Sequence, residues 1–259
     1  MNPAYAYIYD DFLVDSQYQD TLDALETRLA SLGLSGRIGR LTLFRNAKEL
    51  VEDFVRNGVK NVVVVGNDTT LDKVMWFLPE LPVTMGYIPL AEPSGIARLL
   101  NIPTGLAACD ILGARLIETL DVGKLNDRYF LSEVIFENTT ASLFVDNTFH
   151  LTLMSGGTLE IRNLGRVASL GDTLADAQDG LLEAVITPHG PHIKSRLWTK
   201  LKSFTSSQTK VTLKSGQILS TQPMEGHADR YAVSGFRFSV SIEPQKFRVI
   251  MGRRFKPVI

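Results

Sequence analysis

The chain has one cysteine among its 259 residues, Cys109, inside an apolar stretch. A single thiol builds neither a disulfide framework nor a cysteine-rich zinc site, and it fits a reducing cytoplasm. No histidine pattern accompanies it, so Cys109 reads as a small core residue rather than a nucleophile. An excess of charge of either sign is missing too. Net charge is −1 and the pI about 6.4, which leaves no electrostatic footprint for nucleic acid. No apolar run approaches the roughly 20 residues of a membrane span. Met1-Asn2-Pro3-Ala4-Tyr5 lacks the basic region and apolar core of a signal peptide. The expected location is the cytoplasm, with any membrane contact peripheral. Internal repeats, a Walker-type Gly-Lys-Ser/Thr loop, a His-Glu-x-x-His helix and a Gly-x-Ser-x-Gly elbow are all absent, so those classes lack support.

What is present is an ordinary globular mixture, 44% hydrophobic and 21% charged. The first half alternates strand and helix. Tyr5 to Tyr9 reads as a strand. Ser16 suits the cap of a helix with Tyr18, Leu22, Leu25, Leu29 and Leu32 on one face, ending at Gly33. Arg40 to Phe44 reads as a strand, and Asn46 with Glu49 as the cap of a helix through Leu50, Val51, Phe54 and Val55. Strands at Val62 and Met85 to Leu90 alternate with helices through Leu71 to Leu78, Ile96 to Leu100 and Leu106 to Ile117. This repetition predicts a mostly parallel sheet with helices on both faces.

The pattern changes near Asp121. Tyr129 to Phe136, Ala141 to Val145, Thr148 to Met154, Thr158 to Ile161, Leu181 to Thr187, Lys210 to Lys214, Gln217 to Thr221, Tyr231 to Ile242 and Phe247 to Met251 are strand-like. Phe236, Phe238, Val240 and Ile242 alternate as in a half-buried antiparallel strand. The expectation is an α/β fold of two domains. Residues 1–121 form a Rossmann-like three-layer nucleotide-binding-like domain, to which 252–259 return. Residues 122–251 form an antiparallel β-sandwich substrate domain, with one helical insert near Pro191 to Phe204. A cleft between two such domains is a usual place for a substrate.

Two segments carry the chemistry. Asn61 to Val74 is an apolar run ending at Gly66, followed by Asn67-Asp68-Thr69-Thr70 and a helical pattern. A strand that delivers a polar turn to a helix N-terminus is where open α/β sheets bind ligands, and the unpaired N–H groups there suit phosphate. Gly86 to Arg98 repeats the arrangement around Ala91, Glu92, Pro93, Ser94 and Gly95.

These segments resemble the catalytic domain of the diacylglycerol kinase and sphingosine kinase superfamily, including the soluble bacterial lipid kinases. The family's Gly-Gly-Asp-Gly-Thr-Leu-Asn-Glu-Val turn is matched by Gly66 to Val74. Its Pro-Leu-Gly-Thr-Gly-Asn-Asp-Phe-Ala-Arg segment is matched by Pro89 to Arg98. Further elements follow in family order at Asp121 to Phe130, Asp179 to Ile186 and Glu225-Gly226-His227. The resemblance implies ATP over the first two turns, held by Gly66, Asn67, Asp68, Thr69, Thr70, Glu92, Ser94 and Gly95. It implies Mg²⁺ at Asp68, and Glu225 or His227 as the base that deprotonates a lipid hydroxyl. An NAD-kinase-like enzyme, which uses a related glycine-rich turn, is the neighbouring reading; the segments at Asp121 and Asp179 fit lipid kinases better.

The chain departs from the pattern at the ligand-contacting positions. Asn67 and Thr69 replace glycines, and β-branched Thr69 disfavours positive φ. Ala91 to Gly95 replace Gly-Thr-Gly-Asn-Asp. Pro93 removes an N–H donor, and Glu92 brings negative charge toward the expected phosphates. The family's base aspartate falls on Glu225 and the next acidic residue on His227. Tyr9-Asp10-Asp11 stands where an Asn-Pro pair is usual.

Each residue also has a structural reading. Asp68 and Thr70 suit helix capping, Glu225 and His227 a polar hairpin turn, and Asp229 a solvated position. His189 and His192 read as loop histidines. Residues 191–210 combine an apolar stripe with Lys194, Arg196, Lys200, Lys202 and Lys210. They suit either a helix packed on its own sheet or peripheral contact with an anionic membrane surface. Two functions stand. One is ATP-dependent phosphoryl transfer to a lipid hydroxyl, weak or altered. The other is a catalytically inactive relative that binds a lipid, a nucleotide or a protein. A homodimer through a paired β edge stays open.

Overall fold

The computed structural model describes residues 4–42, 46–91, 93–153, 156–166, 174–189 and 208–253. The chain divides into two compact units, one of Met1–Val122 with Pro244–Ile259 and one of Gly123–Glu243.

The first unit contains β1 (Tyr5–Tyr9), α1 (Gln19–Ser31), β2 (Arg37–Arg40), α2 (Ala47–Arg56), β3 (Asn61–Gly66), α3 (Asp68–Met75), β4 (Thr84–Pro89), α4 (Gly95–Leu99) and α5 (Ala107–Ala114). The strands run parallel in the order β2-β1-β3-β4. Arg248 and Val249 of the last strand add to β4, also in parallel. Val62 to Val65 are wholly buried, because a parallel sheet covered on both faces has no solvent side. Side-chain contacts identify the two covers. Tyr9 reaches Glu26 of α1, and Tyr7 donates to the Leu34 carbonyl just beyond that helix. In register with Tyr7 lie Val63 and Gly86, so Tyr87 points to the opposite face; there its hydroxyl meets Asp68 of α3. Burial pushes the Tyr7 and Tyr9 hydroxyls above their ordinary range, and does the same to the Cys109 thiol, which keeps it protonated and inert.

Asn46 caps α2 through the Lys48 N–H, as its sequence predicts. Two local readings shift. Asp15, not Ser16, caps the turn that leads into α1. The second strand is Arg37–Arg40 rather than Arg40 to Phe44, because Ala6 to Tyr9 pair with Arg37 to Arg40; residues 43–45 lie outside the described set.

The second unit is an antiparallel β-sandwich. The chain enters it within β5 (Ile117–Leu125) and continues through β6 (Arg128–Phe130), β7 (Glu133–Thr139), β8 (Ser142–Val145), β9 (Phe149–Thr152), β10 (Gly157–Arg162), β11 (Gly165–Arg166), β12 (Leu174–Ala175), β13 (Leu182–Pro188), β14 (Thr209–Leu213), β15 (Ser215–Ala228) and β16 (Tyr231–Ile250). One layer is ordered β14-β13-β10-β7-β15-β16. The other holds β8 and β9 beside β15, with β5 and β6 beside β16. β15 serves both: Gly216 to Leu219 pair with β8, and Gly226 to Ala228 with β7. Between the layers lie Phe136, Leu143, Ile161, Leu182, Ile218 and Phe238.

The run from Tyr129 to Phe136 is two strands rather than one. Asp229 causes the break. Its carboxylate accepts the N–H groups of Leu131 at 2.7 Å, Ser132 at 2.8 Å and Glu133 at 3.1 Å. Asp229 is therefore a half-buried clamp and not a solvated residue. Tyr231 to Ile242 and Phe247 to Met251 join into one long strand, β16. The expected helix from Pro191 to Phe204, and His192 with it, falls outside the described residues.

Candidate functional site

Three strands of the first unit end side by side, and their carboxyl ends build one polar cluster. β3 stops at Gly66, and Asn67 caps α3. The Asn67 side chain accepts from the Thr70 N–H at 3.0 Å, and the Thr70 hydroxyl accepts from the Asn67 N–H at 3.0 Å. This reciprocal box gives the capping role to Asn67 rather than Asp68. Thr69 is exposed, whereas Asp68 and Thr70 are buried.

Asp68 ties this turn to the next. Its carboxylate accepts the Gly95 N–H at 2.9 Å, the Tyr87 hydroxyl at 3.2 Å and the Ser94 hydroxyl. Ser94 in turn caps α4 by accepting the Ala97 N–H at 2.8 Å. The turns at 66–70 and 91–95 are thus neighbours, joined by a carboxylate buried to 8% exposure. Between them, Ala91 has φ of 78°, a left-handed conformation that favours glycine. Glu92 lies outside the described residues.

Asp10, 2% exposed, directly follows β1. Its carboxylate accepts the Thr70 hydroxyl at 2.5 Å, the Lys73 ammonium at 2.6 Å and the Asp11 N–H at 2.8 Å. Lys73 also stands 3.8 Å from the Asp11 carboxylate. Burial raises the Asp10 carboxyl, but the hydrogen bonds from Lys73, Thr70 and Asp11 outweigh it and hold the group below its ordinary value. Neither Asp10 nor Lys73 has a site role that the sequence alone assigns. The only local signal is the unusual Asp10-Asp11 pair, and only the adjacency of β1 and β3 gives that pair its partners.

Glu225 and His227 belong to the other unit. They do not form a turn: both lie within β15, which pairs Glu225 with Ser234 and His227 with Ile135 and Ala232. Met224, Gly226 and Ala228 alternate into the interior, which leaves Glu225 and His227 exposed on the outer face. The hairpin turn comes later, at Asp229. The same outer face carries Glu160, aligned with Ile135, and Arg162, aligned with Glu133 and Glu183. Burial raises the Glu133 carboxyl; nearby Arg162 offsets this in part and Glu160 adds to it. Among the described residues, no group of three or more His, Cys, Asp and Glu side chains could hold a metal ion.

Residues 8–125 match the family model of the diacylglycerol kinase catalytic domain. The chain resembles the diacylglycerol kinase superfamily in sequence and in fold. A diacylglycerol kinase of Staphylococcus saprophyticus is 31% identical over 74 residues, 27% of this chain and 24% of that protein. One from Staphylococcus carnosus is 34% identical over 74 residues, with the same coverage of 27% and 24%. These matches therefore span about a quarter of the curated relatives' length. A crystal structure of a diacylglycerol kinase from Bacillus anthracis superposes with a TM-score of 0.78 at 16% identity, covering 96% of this chain and 97% of that one. A putative diacylglycerol kinase from the same organism gives 0.77 at 16% identity, with 96% and 97% covered.

Kinases of this family generally use ATP and Mg²⁺. The residues at this kinase-like edge fit that pair poorly. The Asn67 and Thr70 N–H groups serve each other's side chains, and the Gly95 N–H serves Asp68. Asp68, the expected Mg²⁺ ligand, already accepts three protein hydrogen bonds. Asp10 and Asp68 add buried negative charge where phosphates would gather. No helix among the described residues is long and apolar enough to cross a membrane.

Proposed function

We propose that this diacylglycerol-kinase-like protein is a lipid-binding relative of the family that does not grip ATP tightly and does not transfer phosphate efficiently. The observation that carries the reading is the self-capping of both turns. Donors that a nucleotide would use are engaged by Asn67, Thr70 and Asp68. The lipid comes from the resemblance alone. Thermal unfolding with Mg-ATP tests the reading: little or no stabilisation is expected, and a large shift at micromolar ATP contradicts it.

The second reading is an ATP- and Mg²⁺-dependent lipid kinase of diacylglycerol or sphingosine type, favoured by the family match over residues 8–125. It requires labelled phosphate to appear in diacylglycerol or a sphingoid base, and Glu225→Ala or His227→Ala to abolish the transfer. Transfer unaffected by either change removes these residues as the base. Cytoplasmic location, a homodimer and peripheral membrane contact through 191–210 are part of the proposal; 191–207 lie outside the described residues. Contact of that kind predicts cosedimentation with anionic vesicles that weakens as salt is added. Failure to cosediment at low salt ends it.

A further inference from the structure

The Asp10 carboxylate is held as a bound anion would be. Three donors of different kinds converge on it: a hydroxyl from Thr70 at 2.5 Å, an ammonium from Lys73 at 2.6 Å and a backbone N–H from Asp11 at 2.8 Å. The set is drawn from two distant segments, residues 10–11 and 70–73, yet it closes around one side chain that is 2% exposed. The Lys73 side chain is 41% exposed, so the donor set extends to the surface. A hydroxyl, an ammonium and an N–H around a shared centre are the groups that recognise a phosphoryl oxygen cluster. The centre is occupied by the protein's own carboxylate.

We propose that Asp10 is the residue that sets the ligand preference of this edge: it supplies in cis the anion that the Thr70 and Lys73 donors are built to hold, and so makes the site refuse phosphate. The inference rests on the reading of the turns as closed to nucleotide and names the residue that enforces it. Asn67 and Asp68 occupy backbone donors, whereas Asp10 occupies the two side-chain donors and adds like charge against an incoming phosphate. Removing the Asp10 carboxylate while leaving Lys73 in place frees both the space and the side-chain donors that a phosphate group would take. The ligand chemistry is a phosphoryl anion, free or carried on a nucleotide.

The test uses the full chain with inorganic phosphate and, separately, ATP without Mg²⁺, each titrated at low salt. Asp10→Ser keeps an oxygen for the Asp11 N–H and Asp10→Gly is tolerated at a cap position, and both vacate the space of the carboxylate. Either variant should bind inorganic phosphate about tenfold or more tightly than the unaltered chain, and adding Lys73→Met should cancel the gain. A gain for ATP without one for inorganic phosphate places the recognition on the nucleoside and overturns the inference. So does no gain in a folded variant, or a gain that survives Lys73→Met. In the unaltered chain, the Lys73 ammonium resonance should not move as phosphate is added, a readout that needs no variant to fold; a shift there also overturns it. Tight Mg-ATP binding by the unaltered chain would instead defeat the closed-turn reading, which separates the two failures.

Discussion

Gly66 and Thr70 are packed so closely that a β-carbon on Gly66 would lie 2.2 Å from the Thr70 hydroxyl oxygen. That hydroxyl is the one shared by Asn67 and Asp10. Gly66→Ala should therefore destabilise the chain by about 1–3 kcal/mol through overpacking. Urea unfolding measures this. In the Gly66→Ala/Thr70→Ala double variant the two losses should add to less than their sum, since both act on one contact. Strict additivity would mean that the clash is relieved elsewhere.

Ala91 holds a φ of 78°, where its β-carbon is strained and glycine is not. Ala91→Gly should raise stability by roughly 0.5–1 kcal/mol, the relief exceeding the added freedom of the unfolded chain. Ala91→Val should lower it. A loss of stability with glycine would show that the turn adopts an ordinary backbone conformation in solution.

Asp229 terminates three N–H groups at the break between β6 and β7. Asp229→Ala leaves these donors without their acceptor and should destabilise by about 2–4 kcal/mol. Asp229→Asn, which keeps one acceptor oxygen, should lose less. Equal effects from the two changes would point to the charge rather than to the donors.

Because the folded state lowers the Asp10 carboxyl, this group stabilises the fold above the ordinary aspartate pKa of about 3.9. Its contribution disappears as pH falls from that value through the lower folded one. Burial opposes the shift, and among the hydrogen bonds that overcome burial the one from Lys73 lowers the carboxyl most. In Lys73→Met that contribution shrinks, so the chain is less stable at neutral pH and loses less of its stability between neutral and acid pH than the unaltered chain does. Acid unfolding curves that coincide for the two proteins would contradict this.

The parts of the fold legible in sequence were those fixed by neighbours in the chain. The run Val62 to Val65 announces a buried parallel strand by itself, and Asn46 announces its helix. The alternation Phe236, Phe238, Val240, Ile242 announces a strand, although not that it continues to Ile250. The two motif turns were also legible, and the structure joins them through Asp68. The strand order was the missing information. Asp10 meets Thr70 across 60 positions, and Asp229 meets Leu131 across 98. No local pattern encodes such pairings. Glu225-Gly226-His227 looked like a turn because glycine and polar residues favour turns; here Gly226 leaves room for the Ile135 carbonyl of the adjacent strand.

In the second unit, β15 and β16 run side by side through both layers of the sandwich, with a register shift between Leu219 and Met224 where the ribbon bends. A hinge of this kind means that neither layer has an independent boundary. Opening one would pull the shared ribbon out of the other. Native-state hydrogen exchange should consequently report amides of β7 and of β8 releasing together, as a single cooperative block, although those two strands never touch in a ladder.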